Sequence, residues 1–167
     1  MSSPPTREAS PPTEADRRAV ARQLGRPSIA DFRVAVRCPH GAPAVVTNGP
    51  RDRRGRPFPT RDWLSCRALA TGVSRLEAAG GAKALEADAS MADALRAAQA
   101  DHARLHDGHL VAGAAEPGHA KCLHAHLAFA LAGGGSPIGD WIWSRAELSW
   151  PDTCCAAPAE GEEASSP

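Results

Sequence analysis

The sequence predicts an α+β domain in which a small antiparallel sheet of two or three strands is covered by three to five helices. Three observations carry that expectation. Residues 31–46 alternate apolar and polar side chains with the period of half-buried strands. Residues 69–132 instead repeat apolar side chains at helical spacing. Strand signals that precede helix signals, rather than interleaving with them, point to segregated layers and away from a parallel sheet.

Thr13 can cap a first helix, with Asp16 in the capping-box position and Gly25 before Pro27 as its stop. Its apolar side is thin, with Val20 and Leu24. From Asp31 to Cys38, the period of two puts Phe32, Val34, Val36 and Cys38 on one face and Arg33 and Arg37 on the other. Ala44, Val45 and Val46 suit a second strand, and Pro39-His40-Gly41 has the composition of a tight turn, so a hairpin with Cys38 at its mouth is expected. A loop through Arg56 and Pro57-Phe58-Pro59 leads to Trp63-Leu64-Ser65-Cys66, a third short strand or extended segment. Leu69, Val73 and Leu76 then recur at helical spacing up to Gly80-Gly81. Ser90, with Asp93 three residues on, opens another helix through Leu95 to about Leu105. After a glycine-rich loop, a helix from about Ala120 to Ala132 stops at Gly133-Gly134-Gly135, and a last element holds Trp141, Trp143 and Trp150.

The pattern fits one domain over residues 13–150, with tails at 1–12 and 151–167 that are expected to be disordered. Aromatic residues make up 4% of the chain and tyrosine is absent, so the core must rely on Leu, Val and Ala, which bury less area than rings. The formal net charge is zero, yet residues 1–67 hold 13 Lys+Arg against 6 Asp+Glu while residues 68–167 hold 6 against 13. Such asymmetry can favour packing between the halves or offer a basic face to an anionic partner. Much of the excess lies in Arg51, Arg53, Arg54 and Arg56, and short arginine loops are commonly just solvated, so nucleic acid or polyphosphate is the lesser reading of them. No basic segment followed by an apolar one opens the chain, and no window reaches the roughly 18 apolar residues of a membrane span. A cytoplasmic protein without a membrane partner is expected. Its five cysteines then read as thiols, ligands or buried small hydrophobes before they read as disulfides.

A phosphate loop, a dinucleotide glycine fingerprint, a Gly-x-Ser-x-Gly elbow and a His-Glu-x-x-His pair are all absent from the sequence. The densest chemistry lies in Lys121-Cys122-Leu123-His124-Ala125-His126. On a continuous helix Cys122 and His126, four apart, converge, whereas His124 points well away from both. Cys38 and Cys66 are the economical additions that would complete a tetrahedral zinc site and staple the basic half to the helical half. No pair in that set has the Cys-x-x-Cys spacing of most structural zinc sites, and buried thiols beside satisfied imidazoles explain it as well. A second reading makes Cys122 a nucleophile with His124 or His126 as base and Lys121 favouring the thiolate, although a thiol inside a helix is poorly exposed for that role. His102 and His106, four apart, could share an ion or lie on a solvated face. Cys154 and Cys155 are expected to be exposed in the tail.

The order of several short motifs resembles the bacterial domain-of-unknown-function family five hundred and one. The matching pieces are Val20-Ala21-Arg22-Gln23-Leu24-Gly25-Arg26-Pro27, Arg37-Cys38-Pro39, Pro57-Phe58-Pro59-Thr60, Leu64-Ser65-Cys66, Ser74-Arg75-Leu76-Glu77-Ala78, Lys121-Cys122-Leu123-His124 and Pro137-Ile138-Gly139-Asp140. The resemblance implies a small cytosolic protein without an established activity. It also implies His124 rather than His126 as the ligand beside Cys122, because His126 stands where the family pattern is apolar. Arg67, His119-Ala120 and Phe129 are further departures from that pattern. Composition, motifs and resemblance together favour a non-enzymatic binding or adaptor module with a protein partner and a structural or zinc-binding Cys/His cluster. The alternatives are a thiol-dependent enzyme built on Cys122 and a binder of an anionic partner through the Arg51–Arg56 loop.

Overall fold

The computed structural model describes residues 9–28 and 30–157. Strands β1 (Phe32–Arg37), β2 (Pro43–Asn48) and β3 (Asp62–Leu64) form an antiparallel sheet in that order, and six α-helices surround it, so the fold is α+β. The hairpin turn closes where its composition places it. The Gly41 N–H donates to the Cys38 carbonyl at 2.9 Å, the Cys38 N–H donates to the Ala42 carbonyl at 2.8 Å, and Gly41 takes a φ of 83° that favours glycine. β2 is the central strand and is buried at every position except Thr47.

One irregularity in the sheet organises the core. Val34 pairs with Val46 but Val36 pairs with Val45, so β1 carries one more residue than β2 across this step. The bulge at Ala35 reverses the alternation of side chains along the strand. Phe32 and Val34 therefore pack with Val20, Val46 and Trp63, whereas Val36 and Cys38 join Val45, Leu64 and the helical core on the other side. The single apolar face expected for β1 is thus divided between two clusters.

α1 (Glu14–Leu24) covers the first cluster. Its capping box is complete: Thr13 Oγ1 accepts from the Asp16 N–H at 3.1 Å, and the Thr13 N–H donates to Asp16 Oδ2 at 2.9 Å. Asp16 also receives both terminal nitrogens of Arg37, at 2.7 and 2.9 Å, which ties the helix to the end of β1. Residues 1–8 and 158–167 of the expected tails lie outside the described residues. In the described parts of those tails, Ser10 pairs with Val34 and Ala156 is buried.

The other face carries α2 (Arg67–Ala78), α4 (Ala92–Leu105), α5 (Leu123–Leu131) and α6 (Ser136–Arg145), with the short α3 (Gly81–Ala87) between the first two. Gly80-Gly81, expected as a stop, is a corner. Gly80 turns at φ 87° and α3 begins at once on Gly81, where a Cβ would lie 2.7 Å from the Leu76 carbonyl oxygen. α5 starts at Leu123, three residues later than the expected Ala120. The Ala120 N–H donates to Glu86 Oε1 at 2.8 Å and the Leu123 N–H to Glu77 Oε1 at 2.6 Å, so carboxylates from α2 and α3 satisfy these donors ahead of the helix, and Cys122 between them is extended. Against α6, Gly139 leaves no room for a Cβ beside Ala130.

The Arg37 guanidinium beside Asp16, opposed by burial and reinforced by Thr13, holds the Asp16 carboxyl below its ordinary range. Because the folded-state value is depressed, the stabilisation is fully present above the unfolded value near 3.9 and is lost as pH falls through the folded one. Asp16→Asn should therefore lower stability by about 1–3 kcal/mol at neutral pH. Urea unfolding followed from pH 7 to pH 2 should show the gap from wild type closing below about pH 4.

Candidate metal centre

Asp62 opens β3 opposite Thr47, whose hydroxyl donates to Asp62 Oδ1 at 2.6 Å. The carboxylate is 2% exposed. α4 presents Leu95, Ala98, Gln99 and His102 to the interior, and His106 caps its C-terminal end on the same side. The stripe is legible as 3- and 4-residue steps from Leu95, which is the signal that turns His102 and His106 inward instead of onto a solvated face. Their rings lie 4.4 Å apart between centroids.

Gln99 holds the returning loop over this pair. Its amide donates to the His119 carbonyl at 2.8 Å and its carbonyl accepts from the Val111 N–H at 2.7 Å. The carbonyl of His109, in the same loop, accepts from His102 Nδ1 at 2.7 Å, which in the neutral ring places the lone pair on Nε2. His106 Nε2 stands 3.6 Å from Asp62 Oδ2. Ligand atoms of Asp62, His102 and His106 all fall within 4.8 Å of one another, and all three residues are buried.

His126 approaches from α5. It is 1% exposed, and burial followed by the nearby charge of His102 pushes its pKa down to about 4. Among the described residues, neither ring nitrogen of His106 or of His126 has a hydrogen-bond partner. Four imidazole nitrogens withdrawn from water without a hydrogen bond are costly, because buried polar groups are nearly always hydrogen-bonded.

A second group forms where α2 meets the start of α5. Cys122 precedes the helix with extended backbone, so the rotation expected to separate it from His124 does not operate. Glu77, Cys122 and His124 bring one ligand atom each within 4.8 Å of the others. Glu77 Oε2 faces His124 Nδ1 at 3.2 Å, and His124 Nε2 donates to the Ala70 carbonyl at 3.0 Å. Cys122, and then Glu77 acting against burial, push the His124 pKa up to about 9. A cleft of about 420 Å³ runs between the groups, with Asp62, Trp63, Arg67, Cys122 and His124 in its walls.

The ligand set Cys38, Cys66, Cys122 and His126 is divided among three places. Cys122 meets His124 and Glu77, and His126 is buried on α5, close enough to feel the charge of His102 but outside the group of Asp62, His102 and His106. Cys66 Sγ lies 3.6 Å from Cys155 Sγ, and Cys38 contacts Cys154. Cys154 and Cys155 are half-buried against the core and not exposed. Of the basic loop, Arg51, Arg53, Arg54 and Arg56 are exposed, but the charge is partly turned on itself. Asp52 accepts from the Arg54 and Arg56 backbone and from the Arg56 side chain, and Arg51 caps the Gly55 carbonyl. The site roles of Asp62 and Glu77 are not legible in the sequence, even with Glu77 inside the Ser74–Ala78 motif, because a single carboxylate carries no spacing signal.

Residues 34–110 match the model of the family described as Protein of unknown function (DUF501). The match covers a little under half of the chain. The DUF501 segment contains Asp62, Glu77, His102 and His106, while Cys122, His124 and His126 lie beyond it. No curated protein and no solved structure matches the chain. Among the described residues no helix is long and apolar enough to cross a membrane.

Gln99 supplies the first test of this arrangement. Gln99→Leu keeps the volume but leaves the Val111 N–H and the His119 carbonyl unpaired in the interior. It should cost about 2–4 kcal/mol, read as a lower urea midpoint at unchanged slope.

Proposed function

We propose that this chain is a metal-binding module whose ion, of the zinc class, is held by the grouped Asp62, His102 and His106 with His126 moving in from α5 as the fourth donor, and staples β3, α4 and α5 together. The observation that carries the reading is the pair of buried rings, His106 and His126, none of whose nitrogens has a hydrogen-bond partner. Ligands about 2.0–2.1 Å from a tetrahedral ion stand roughly 3.3 Å apart, and His106 Nε2 is already 3.6 Å from Asp62 Oδ2. The donation from His102 to the His109 carbonyl is the outer contact that usually fixes the tautomer of a metal-binding imidazole. Imidazole with one carboxylate suits zinc and its first-row neighbours better than magnesium or calcium. Four protein ligands fill a tetrahedron, so the ion is structural and the module works by binding a protein partner in the cytoplasm rather than by catalysis.

The full-length protein, purified under reducing conditions, should carry about one equivalent of zinc and melt at a lower temperature after chelation. Cobalt substitution should give visible bands of nitrogen and oxygen coordination without thiolate charge transfer. His106→Ala should weaken zinc by more than the roughly 10- to 100-fold that loss of a mere supporting contact costs, while Cys122→Ser should leave it unchanged. Metal-free protein with the same melting temperature, or a cobalt spectrum dominated by thiolate, would remove the reading.

The Glu77, Cys122 and His124 group supports a second reading, in which Cys122 is a reactive thiol. It sits in the cleft wall beside an imidazole whose far nitrogen is anchored on Ala70. Iodoacetamide should then label Cys122 ahead of the buried Cys66, and His124→Gln should slow that labelling about tenfold. Equal labelling rates in both proteins would exclude it.

A further inference from the structure

Cys154 and Cys155 belong to neither of these sites, yet the chain holds them in place with some care. The segment that carries them is docked at both ends. His40 Nε2 meets the Pro151 carbonyl at 2.8 Å, and Arg22 donates to the Ala156 carbonyl from Nε at 3.1 Å and Nη2 at 2.9 Å. Ala156 is 3% exposed. Between those anchors, Cys155 Sγ is brought to 3.6 Å from Cys66 Sγ, and Gln23 Nε2 donates to the Cys155 sulfur at 3.8 Å.

The two thiols are not equivalent. Cys66 is 1% exposed, and burial pushes its pKa up to about 11. Cys155 is half-buried, and although burial works against its ionisation, the N–H groups of Ala68 and Arg67, then Cys66 and Gln23, draw its pKa below the ordinary thiol value. Cys66 is the residue before α2 and leaves that helix without a side-chain cap or an acidic first turn, so the Cys155 sulfur takes the place an anion would occupy. One thiol is suited to meet an oxidant, and its neighbour is shielded from everything except the first.

We propose that Cys155 and Cys66 form a redox couple that closes to a disulfide on exposure to a hydroperoxide. The Cys155 thiolate attacks one peroxide oxygen. A sulfur–oxygen bond forms, the oxygen–oxygen bond breaks, and the departing alkoxide or hydroxide takes a proton to leave as alcohol or water. Cys155 is then a sulfenic acid. The Cys66 sulfur gives up its proton and attacks the Cys155 sulfur, the sulfur–oxygen bond breaks, and the hydroxide released combines with that proton as water. Two thiols and one hydroperoxide become one disulfide, one alcohol or water molecule, and one water molecule. The sulfurs must close from 3.6 Å to a bond of about 2.05 Å, a movement the short segment between Pro151 and Ala156 can supply. A small dithiol reverses the step by exchange. The disulfide fastens the end of the described chain to the start of α2, beside Arg67 in the cleft wall.

The test uses the full-length reduced protein treated with one equivalent of hydrogen peroxide, quenched by alkylation and read by peptide mass spectrometry without reduction. The expected product links the peptides that contain Cys66 and Cys155. Cys66→Ser should stop at a sulfenic acid on Cys155, trapped as a dimedone adduct. Cys155→Ser should lose peroxide at least about tenfold more slowly. The same experiment on His106→Ala protein should give the same linkage, which separates this proposal from the metal reading. A bond between Cys154 and Cys155, a bond between Cys38 and Cys154 alone, or an undiminished rate in Cys155→Ser would overturn it.

Discussion

Burial of α5 on nearly every side is the constraint on which the rest of the molecule depends. Leu123, Ala125, His126, Leu127, Ala128, Phe129 and Ala130 are all removed from solvent, with β3 on one side and α6 on the other. A helix enclosed in this way is ordinarily apolar throughout. Here it carries an imidazole at its centre, and that side chain has no route to water. Everything polar near it is arranged by surrounding elements: Asp62 from the sheet edge, His102 and His106 from α4, and the loop that Gln99 clamps over them. The close approach of α6 is set by Gly139 against Ala130.

The same enclosure explains why the site and the cleft adjoin without merging. Asp62 faces the histidines with one oxygen and Thr47 with the other. Cys122 and His124, one turn earlier along the chain, lie at the mouth of α5, where the helix has not yet entered the core. Glu77 stands at the boundary, satisfying the first amide of the helix with one oxygen and turning the other towards His124. A single carboxylate thereby fixes where the helix begins and which way the neighbouring imidazole faces.

Local chemistry was readable from the sequence; the meeting of distant segments was not. The capping box at Thr13, the Gly41 turn and the start of the long apolar stripe at Leu95 each rest on residues a few positions apart, and each stands where propensity puts it. The bulge at Ala35 left no signal, because a run of alternating residues looks the same whether or not its partner strand skips a step. α5 begins three residues later than its apolar pattern indicates, since the carboxylates that take the Ala120 and Leu123 N–H groups come from Glu86 and Glu77, far back in the chain. That small shift also changed which histidine meets Cys122. The pairing of Cys38 and Cys66 with Cys154 and Cys155 depends on the path of residues 151–157, for which composition offered only the expectation of a tail.

The extra residue in β1 has a mechanical meaning beyond the placement of side chains. By passing from the cluster under α1 to the main core within a single strand, β1 makes the two hydrophobic regions share one backbone element. Neither can loosen while the other stays intact, because melting β1 on either side removes pairing from both. The molecule is thereby coupled in series, and loss of the thin layer that contains Val20 and Phe32 propagates through the hairpin into the helical body as one cooperative event.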